Sequence, residues 1–343
     1  MDLNERKQKI LSLVIERYIR TGEPVGSKAL CEMLDNTVSS ATIRNEMSEL
    51  AESGYLEQPH TSAGRVPSQQ GYRYYVDNLM GRRELAEEER VRIRSLVATE
   101  YSDPDKLIEA ACAALAQLTG CAAVSTTPAG EAAAIKKVEA VVIGRRTAMI
   151  MLLTTNGILK SRACRPDAEL NEDAAEAFYN LVNKHFIGLP VSEVSLGMIQ
   201  TLAASLGEKA FSVAPLLVTL AELARESAET GVRLRGQNNL LSHREYYGNA
   251  AELLRFLSGK EPLTRLMAEH SGAPLNISIG SENVYPEMVN SSMILSKYAI
   301  DGAEDGSIGI IGPTRIDYAR LIPNIEYLTR VVSGLLSDLL DGE

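Results

Sequence analysis

The chain has 343 residues, 45% apolar and 23% charged, with a formal net charge of −10. That length suits two or three domains, each able to bury a core, and the apolar share excludes a disordered chain. No run approaches the roughly eighteen apolar residues of a membrane span, and Met1 to Lys9 is polar with no apolar signal core, so a cytoplasmic protein without membrane attachment is expected.

Between residues 3 and 21, Ile10, Leu11, Val14, Ile15 and Tyr18 recur at helical spacing and predict one amphipathic helix ended by Gly22. After the Glu23-Pro24-Val25-Gly26 turn, Ser27 reads as the N-cap of a short second helix whose Leu30, Met33 and Leu34 face a core. Asp35 to Val38 connects it to a third helix, capped by Ser39 or Ser40, with Ile43, Met47 and Leu50 inward and Gly54 as its stop. Tyr55-Leu56-Glu57 predicts a short strand, Pro59 to Arg65 a polar turn, and Val66 a second strand. Three helices, a strand, a turn and a strand make the order of a winged helix-turn-helix.

With the apolar stripe inward, about 100° per residue turns Ala41, Asn45 and Ser48 outward, with Thr42 and Arg44 on their flanks and Ser40 opening the helix. The N-terminal half of such a helix enters the major groove, where Arg pairs with guanine, Asn with adenine, and Ala or a Thr methyl touches thymine. The candidate base-reading set is therefore Ser40, Ala41, Thr42, Arg44, Asn45 and Ser48. On the turn, His60, Thr61, Ser62 and Arg65 offer donors for phosphate or the minor groove, and Gly64 allows a close backbone approach. Residues 1 to 80 carry nine Lys and Arg against eleven Asp and Glu, a net −2, whereas phosphate neutralisation needs positive charge. Because winged helices also serve protein and RNA interfaces, the pattern by itself leaves DNA as the favoured partner among three.

From Glu84 to Gly120 the chain reads as two helices broken at Asp103-Pro104. Val138 to Ile143, Ala148 to Thr155 and Ile158 to Cys164 predict a three-stranded antiparallel meander, with Asn156-Gly157 as a type I′ turn. Residues 170 to 230 return to helix, with stops near Gly188-Leu189-Pro190 and Gly207, and one further helix runs from about Asn249 to His270. Strand-like stretches at Leu275 to Ile279, Met288 to Ile300 and Ser307 to Ile311 precede a final helix marked by Ile325, Leu328, Val332, Leu335 and Leu339.

Several chemistries find no support. Cys31, Cys112, Cys121 and Cys164 lie far apart without CxxC spacing and read as buried free thiols; His60, His185, His243 and His270 form no metal pair. The stretch Gly306 to Arg315 has neither the GxGxxG spacing nor the Gly-Lys-Ser/Thr end of a phosphate loop, and reads as a strand whose glycines pack closely before a turn at Pro313. Tyr285, Tyr298, Tyr318 and Tyr327 read as core or interface aromatics. No nucleophile elbow or acid–base pair stands out, so no enzyme and no cofactor are expected.

The blocks Ser40-Ala41-Thr42-Ile43-Arg44-Asn45-Glu46-Met47, Gly54 to Arg65 and Gly71-Tyr72-Arg73-Tyr74-Tyr75-Val76-Asp77, with Ile310-Ile311-Gly312-Pro313-Thr314-Arg315-Ile316-Asp317-Tyr318 near the end, resemble the HrcA family of heat-inducible transcription repressors across nearly the whole chain. The resemblance implies an α+β multidomain protein: an N-terminal winged helix-turn-helix at 1–75, a GAF-like α/β body at 76–125 and 231–343, and an inserted dimerisation domain at 126–230 with a three-stranded antiparallel sheet and flanking helices. It also implies a homodimer that binds double-stranded DNA at an inverted repeat, the CIRCE operator, ahead of chaperone operons, is released on heat stress, and has the GroEL chaperonin as a modulating partner. A GAF-like fold often holds a small ligand, but no ligand signature stands in 76–125 or 231–343.

Overall fold

The computed structural model describes residues 3–341 apart from 61–62, 82, 98–103, 128–132, 167, 230, 271 and 301–302, with 303–305 and 340–341 as backbone alone. Asn4 opens α1 (Glu5–Thr21) by accepting from the Lys7 N–H at 2.9 Å, and Gly22 closes it in the left-handed region at φ 69°, where a residue without Cβ is favoured. The cap of α2 (Ser27–Met33) is Gly26, without a side-chain bond, and not Ser27 as expected. The Ser27 hydroxyl is buried and meets that of Ser40 at 3.0 Å, so it ties α2 to the next helix instead. Asp35 and Asn36 turn the chain at φ 51° and 56°, a conformation that short polar side chains tolerate.

Ser39 then caps α3 (Ser40–Glu52), accepting from the Thr42 N–H at 3.1 Å, and Ile43, Met47 and Leu50 are buried as the spacing predicts. β1 (Leu56–Glu57) and β2 (Val66–Pro67) pair as an antiparallel ribbon, followed by α4 (Gln69–Tyr74), which runs on as a single π-turn to Leu79. The predicted succession of helices and ribbon is therefore present.

α5 (Glu87–Val97) and α6 (Pro104–Thr119) lead into β3 (Ala122–Thr126). The chain then makes an excursion through β4 (Ile135–Gly144), β5 (Thr147–Thr154) and β6 (Leu159–Cys164), an antiparallel meander, and through α7 (Glu172–His185), α8 (Leu196–Ala204) and α9 (Ala210–Ala228). It returns as β7 (Val232–Arg235), α10 (Ala250–Ser258), α11 (Lys260–Glu269), β8 (Leu275–Ile279), β9 (Ser291–Ile300), β10 (Ala303–Pro313) and α12 (Tyr318–Asp341). The five strands lie in the order β7-β3-β10-β9-β8, every neighbour antiparallel.

Three expectations change. Asn156 stays at negative φ while Gly157 sits at 79°, so the hairpin is not type I′. The Gly157 N–H donates to the Thr154 carbonyl at 3.1 Å and the Thr154 N–H to that of Ile158 at 3.0 Å, a three-residue loop ending in a left-handed glycine. The Thr154 hydroxyl holds that shape by donating to Asn156 Oδ1 at 2.5 Å and accepting from the Ile158 N–H at 3.0 Å. The helix expected from Asn249 to His270 is two, α10 and α11, parted at Gly259. Of the four thiols, Cys31 is half-buried and donates to the Val38 carbonyl at 3.2 Å, while Cys112, Cys121 and Cys164 are buried. Burial pushes Cys112 and Cys121 up to about 11, which keeps both thiols protonated and inert.

Strand alternation divides the five-stranded sheet between two cores. Ala123, Ile294, Ile308 and Ile310 face α6 and α12, whereas Ala122, Val124, Met293, Leu295 and Ile311 face α10 and α11. The first core does not stop at the sheet: it continues through Tyr318 and Tyr72, whose rings lie 5.9 Å apart, into Ile10, Leu11 and Ile43 of the N-terminal helices.

The glycines of β10 serve this packing. A Cβ on Gly309 would overlap the Ile294 carbonyl of β9, and one on Gly312 would stand 2.7 Å from the Cys121 Sγ. We therefore expect Gly309→Ala to cost about 1–3 kcal/mol or more through overpacking, while Gly334→Ala, in open space on the exposed side of α12, gains about 0.5–1 kcal/mol of helix propensity. Urea midpoints of the two variants, falling for the first and rising for the second, check both signs.

Candidate nucleic-acid interface

The inward stripe of α3 packs on α1, α2 and β1, which fixes the direction of every other side chain on that helix. Ala41, Arg44 and Asn45 are exposed, and neither the Arg44 guanidinium nor the Asn45 side-chain amide has a hydrogen-bond or ion-pair partner among the described residues. The remaining members of the predicted set are occupied within the protein. Ser40 is half-buried and spends its hydroxyl on Ser27; Thr42 is half-buried, with its hydroxyl 2.9 Å from that of Ser39. Ser48 donates back to the Arg44 carbonyl at 3.1 Å. The structure thus narrows six candidates to a free trio in the first half of the helix, where the N-terminal dipole also favours an anion.

The ribbon loop carries the second group. His60 is exposed, its carbonyl accepting from the Ala63 N–H at 2.9 Å, while Thr61 and Ser62 lie outside the described residues. Arg65 is stitched to the turn after α1 by two backbone bonds with Val25, each 2.9 Å. Its Nε is buried and unpartnered among the described residues, so the guanidinium is only half-presented. Gly64 has a closer reason to be glycine than approach to a phosphate: a Cβ there would overlap the Val25 carbonyl and come within 2.9 Å of the Gly26 nitrogen. The close approach it permits is between ribbon and turn, which anchors the base of the loop.

Two residues escaped the sequence reading. Arg6 meets Glu46 at 3.5 Å and Lys7 meets Glu49 at 2.6 Å, so the N-terminal turn of α1 neutralises acids on α3 that would otherwise repel phosphate. The Glu49 hydrogen bond also raises the Lys7 ammonium above the usual lysine range. The signal was present in the opposite charges of the two helices, but their pairing needs the α1–α3 crossing, which periodicity does not give. Among the described residues no group of three His, Cys, Asp or Glu could hold a metal ion, and no helix is long and apolar enough to cross a membrane.

A helix-turn-helix with a β-ribbon, an open trio on its third helix and a mixed α/β body beneath it defines a protein of the transcription-regulator class. Residues 105–322 match the family described as the HrcA protein C terminal domain. The whole chain is 35% identical to the heat-inducible transcription repressor HrcA of Thermoanaerobacter pseudethanolicus, covering 100% of both chains. It is 32% identical to the HrcA of Acetivibrio thermocellus, over 96% of this chain and 95% of that one. A crystal structure described only as that of a hypothetical protein superposes with a TM-score of 0.68 at 25% identity, covering 98% of this chain and 100% of the other. The chain belongs to the HrcA family of heat-inducible transcription repressors.

The side chains of Ser39 and Arg44 separate folding from presentation. Ser39→Ala removes a helix cap and should cost about 1 kcal/mol, whereas Arg44→Ala, at an exposed and unpartnered position, should stay within about 0.5 kcal/mol of the parent. Thermal unfolding of the full chain reads both, and a loss at Arg44 as large as that at Ser39 would show that its guanidinium has a structural task.

Proposed function

We propose that the chain is a sequence-specific DNA-binding repressor of heat-shock chaperone operons that grips an inverted-repeat operator of the CIRCE type as a homodimer. The observation that carries this reading is the pair Arg44 and Asn45, exposed and unengaged at the N-terminal half of α3, in a chain of the HrcA family. Arg44 suits guanine, Asn45 suits adenine, and Ala41 can touch a thymine methyl. In this reading residues 1–75 form the winged-helix head, with His60, Thr61, Ser62, Gly64 and Arg65 on the wing beside the backbone. Residues 76–125 with 231–343 form a GAF-like body, and 126–230 an inserted dimerisation domain.

The outer face of the meander supports the second role. α9 covers one face, where Arg162 pairs with Glu222 at 2.6 Å and Glu226 at 2.5 Å. On the opposite face β5 brings Met149, Met151 and Leu153, flanked by Val141 and Leu159, which are 49% and 61% exposed. Lys137 and Glu139, paired at 3.0 Å, lie on the same face, and apolar area with charges of both signs suits burial against its own copy around a two-fold axis. Two linked heads bind an operator more tightly than either alone, so heat that loosens the dimer or the fold releases it. The GroEL chaperonin would then modulate how much repressor stays competent.

A gel-shift titration on a duplex carrying the inverted repeat of a chaperone promoter tests the reading. Arg44→Ala and Asn45→Ala should each lower affinity by about 1–3 kcal/mol per lost base contact; unchanged affinity in both would remove α3 from the readout. Leu159→Glu, on the sheet face, should shift sedimentation from dimer to monomer, and a dimer undisturbed by that charge would place the two-fold contact elsewhere.

A further inference from the structure

The motif block around Gly312-Pro313-Thr314-Arg315 spells no ligand site, yet its arginine ties body to head. Arg315 donates from Nε to Glu245 of the body at 2.6 Å and from Nη1 to the Ile19 carbonyl of α1 at 2.7 Å. The Arg315 and Glu245 side chains are only 23% and 21% exposed. Ile19 lies among the last four residues of α1, whose carbonyls lack helical partners, so a cation there both caps the helix and answers its dipole. A second clamp sits on α4. Arg73 grips the Glu282 carboxylate through Nε and Nη2, and Nη2 also donates to the Ile277 carbonyl at 2.6 Å. Partial burial pushes the Glu282 carboxyl up, but the Arg73 bond and the Ile279 N–H outweigh it and hold the carboxyl below its usual range.

A head attached only by its linker would swivel about that one connection. Two planar guanidinium groups, that of Arg315 reaching from the body to the end of α1 and that of Arg73 reaching from α4 to the body, fix separate points on the head and remove the rotations that a single tether allows. Because α3 packs directly on α1, an angle fixed at α1 is an angle fixed at Arg44 and Asn45.

We propose that Arg315 and Arg73 are positioning residues for DNA recognition, locking each reading head at a set angle to the body so that the dimer matches one spacing and orientation of half-sites. The inference rests on the dimeric operator-binding reading above. Neither arginine need touch DNA: its effect passes through the angle of α3.

The test is a spacer series. Inverted repeats are synthesised with the gap between half-sites changed one base pair at a time, each step turning one half-site by about 35° about the duplex axis. The wild-type chain should show one optimum, falling by about tenfold or more at neighbouring spacings as simultaneous engagement is lost. Arg315→Ala and Arg73→Ala should flatten that profile to within about threefold while leaving affinity for a single half-site unchanged, which shows that the head is folded. Arg315→Lys, which keeps the charge but not the fork, should give an intermediate profile. Variants that retain the wild-type spacing profile, whether or not overall affinity falls, overturn the proposal, as does a wild-type chain that binds all spacings alike. A wild-type chain that sediments as a dimer but binds no inverted repeat fails the operator reading itself and takes the proposal with it.

Discussion

The hydrophobic core that begins at Ile10 and Leu11 does not end with the N-terminal helices, and this continuity governs the rest of the molecule. It passes through Tyr72 and Tyr318 to Ile310 and Leu328, so the head shares apolar burial with the body it stands on. Burial is non-directional and would tolerate sliding. The arginine clamps at its margin convert a cohesive contact into one of defined geometry, as charge-assisted forks do. Cohesion and orientation are thus supplied by different residues of the same joint.

Electrostatics at the reading surface follow a similar division. The head has no surplus of positive charge, and two of the acids on α3 are answered by Arg6 and Lys7 of α1. A surface of this kind has little of the counterion-release affinity that draws strongly basic domains to any duplex. In the DNA-binding reading proposed above, discrimination falls on the few groups left free at the N-terminal half of α3, and a low affinity for random sequence becomes part of the selectivity.

The head was legible in the sequence because each of its elements carries a local signal: the apolar stripe of α1, the cap at Ser39, the stop at Gly54. The meander was legible for the same reason, through alternation in β5. β3 and β7 were not. Ala122 to Thr126 is buried on both faces and therefore shows no alternation, while Val232 to Arg235 is short and half-buried throughout. For the candidate interface, periodicity gave the outward direction of Arg44 and Asn45 but not the occupation of Ser40, Thr42 and Ser48, since those hydroxyl contacts depend on a neighbouring helix, on the cap and on the rotamer that turns Ser48 back to its own helix. Gly64 was read as allowing a close backbone approach to phosphate, whereas the approach it allows is to Val25, distant in sequence.

The strand order β7-β3-β10-β9-β8 has a consequence for biogenesis. β10 is central and the last strand in the chain, and one of its two neighbours, β3, is the first strand of that sheet. During synthesis β3 waits through the whole meander and its helices before its partner exists, a long-range closure that makes folding slow. Until β10 emerges, the facing edges of β3 and β9 lack their hydrogen-bonding partner and stand open to aggregation.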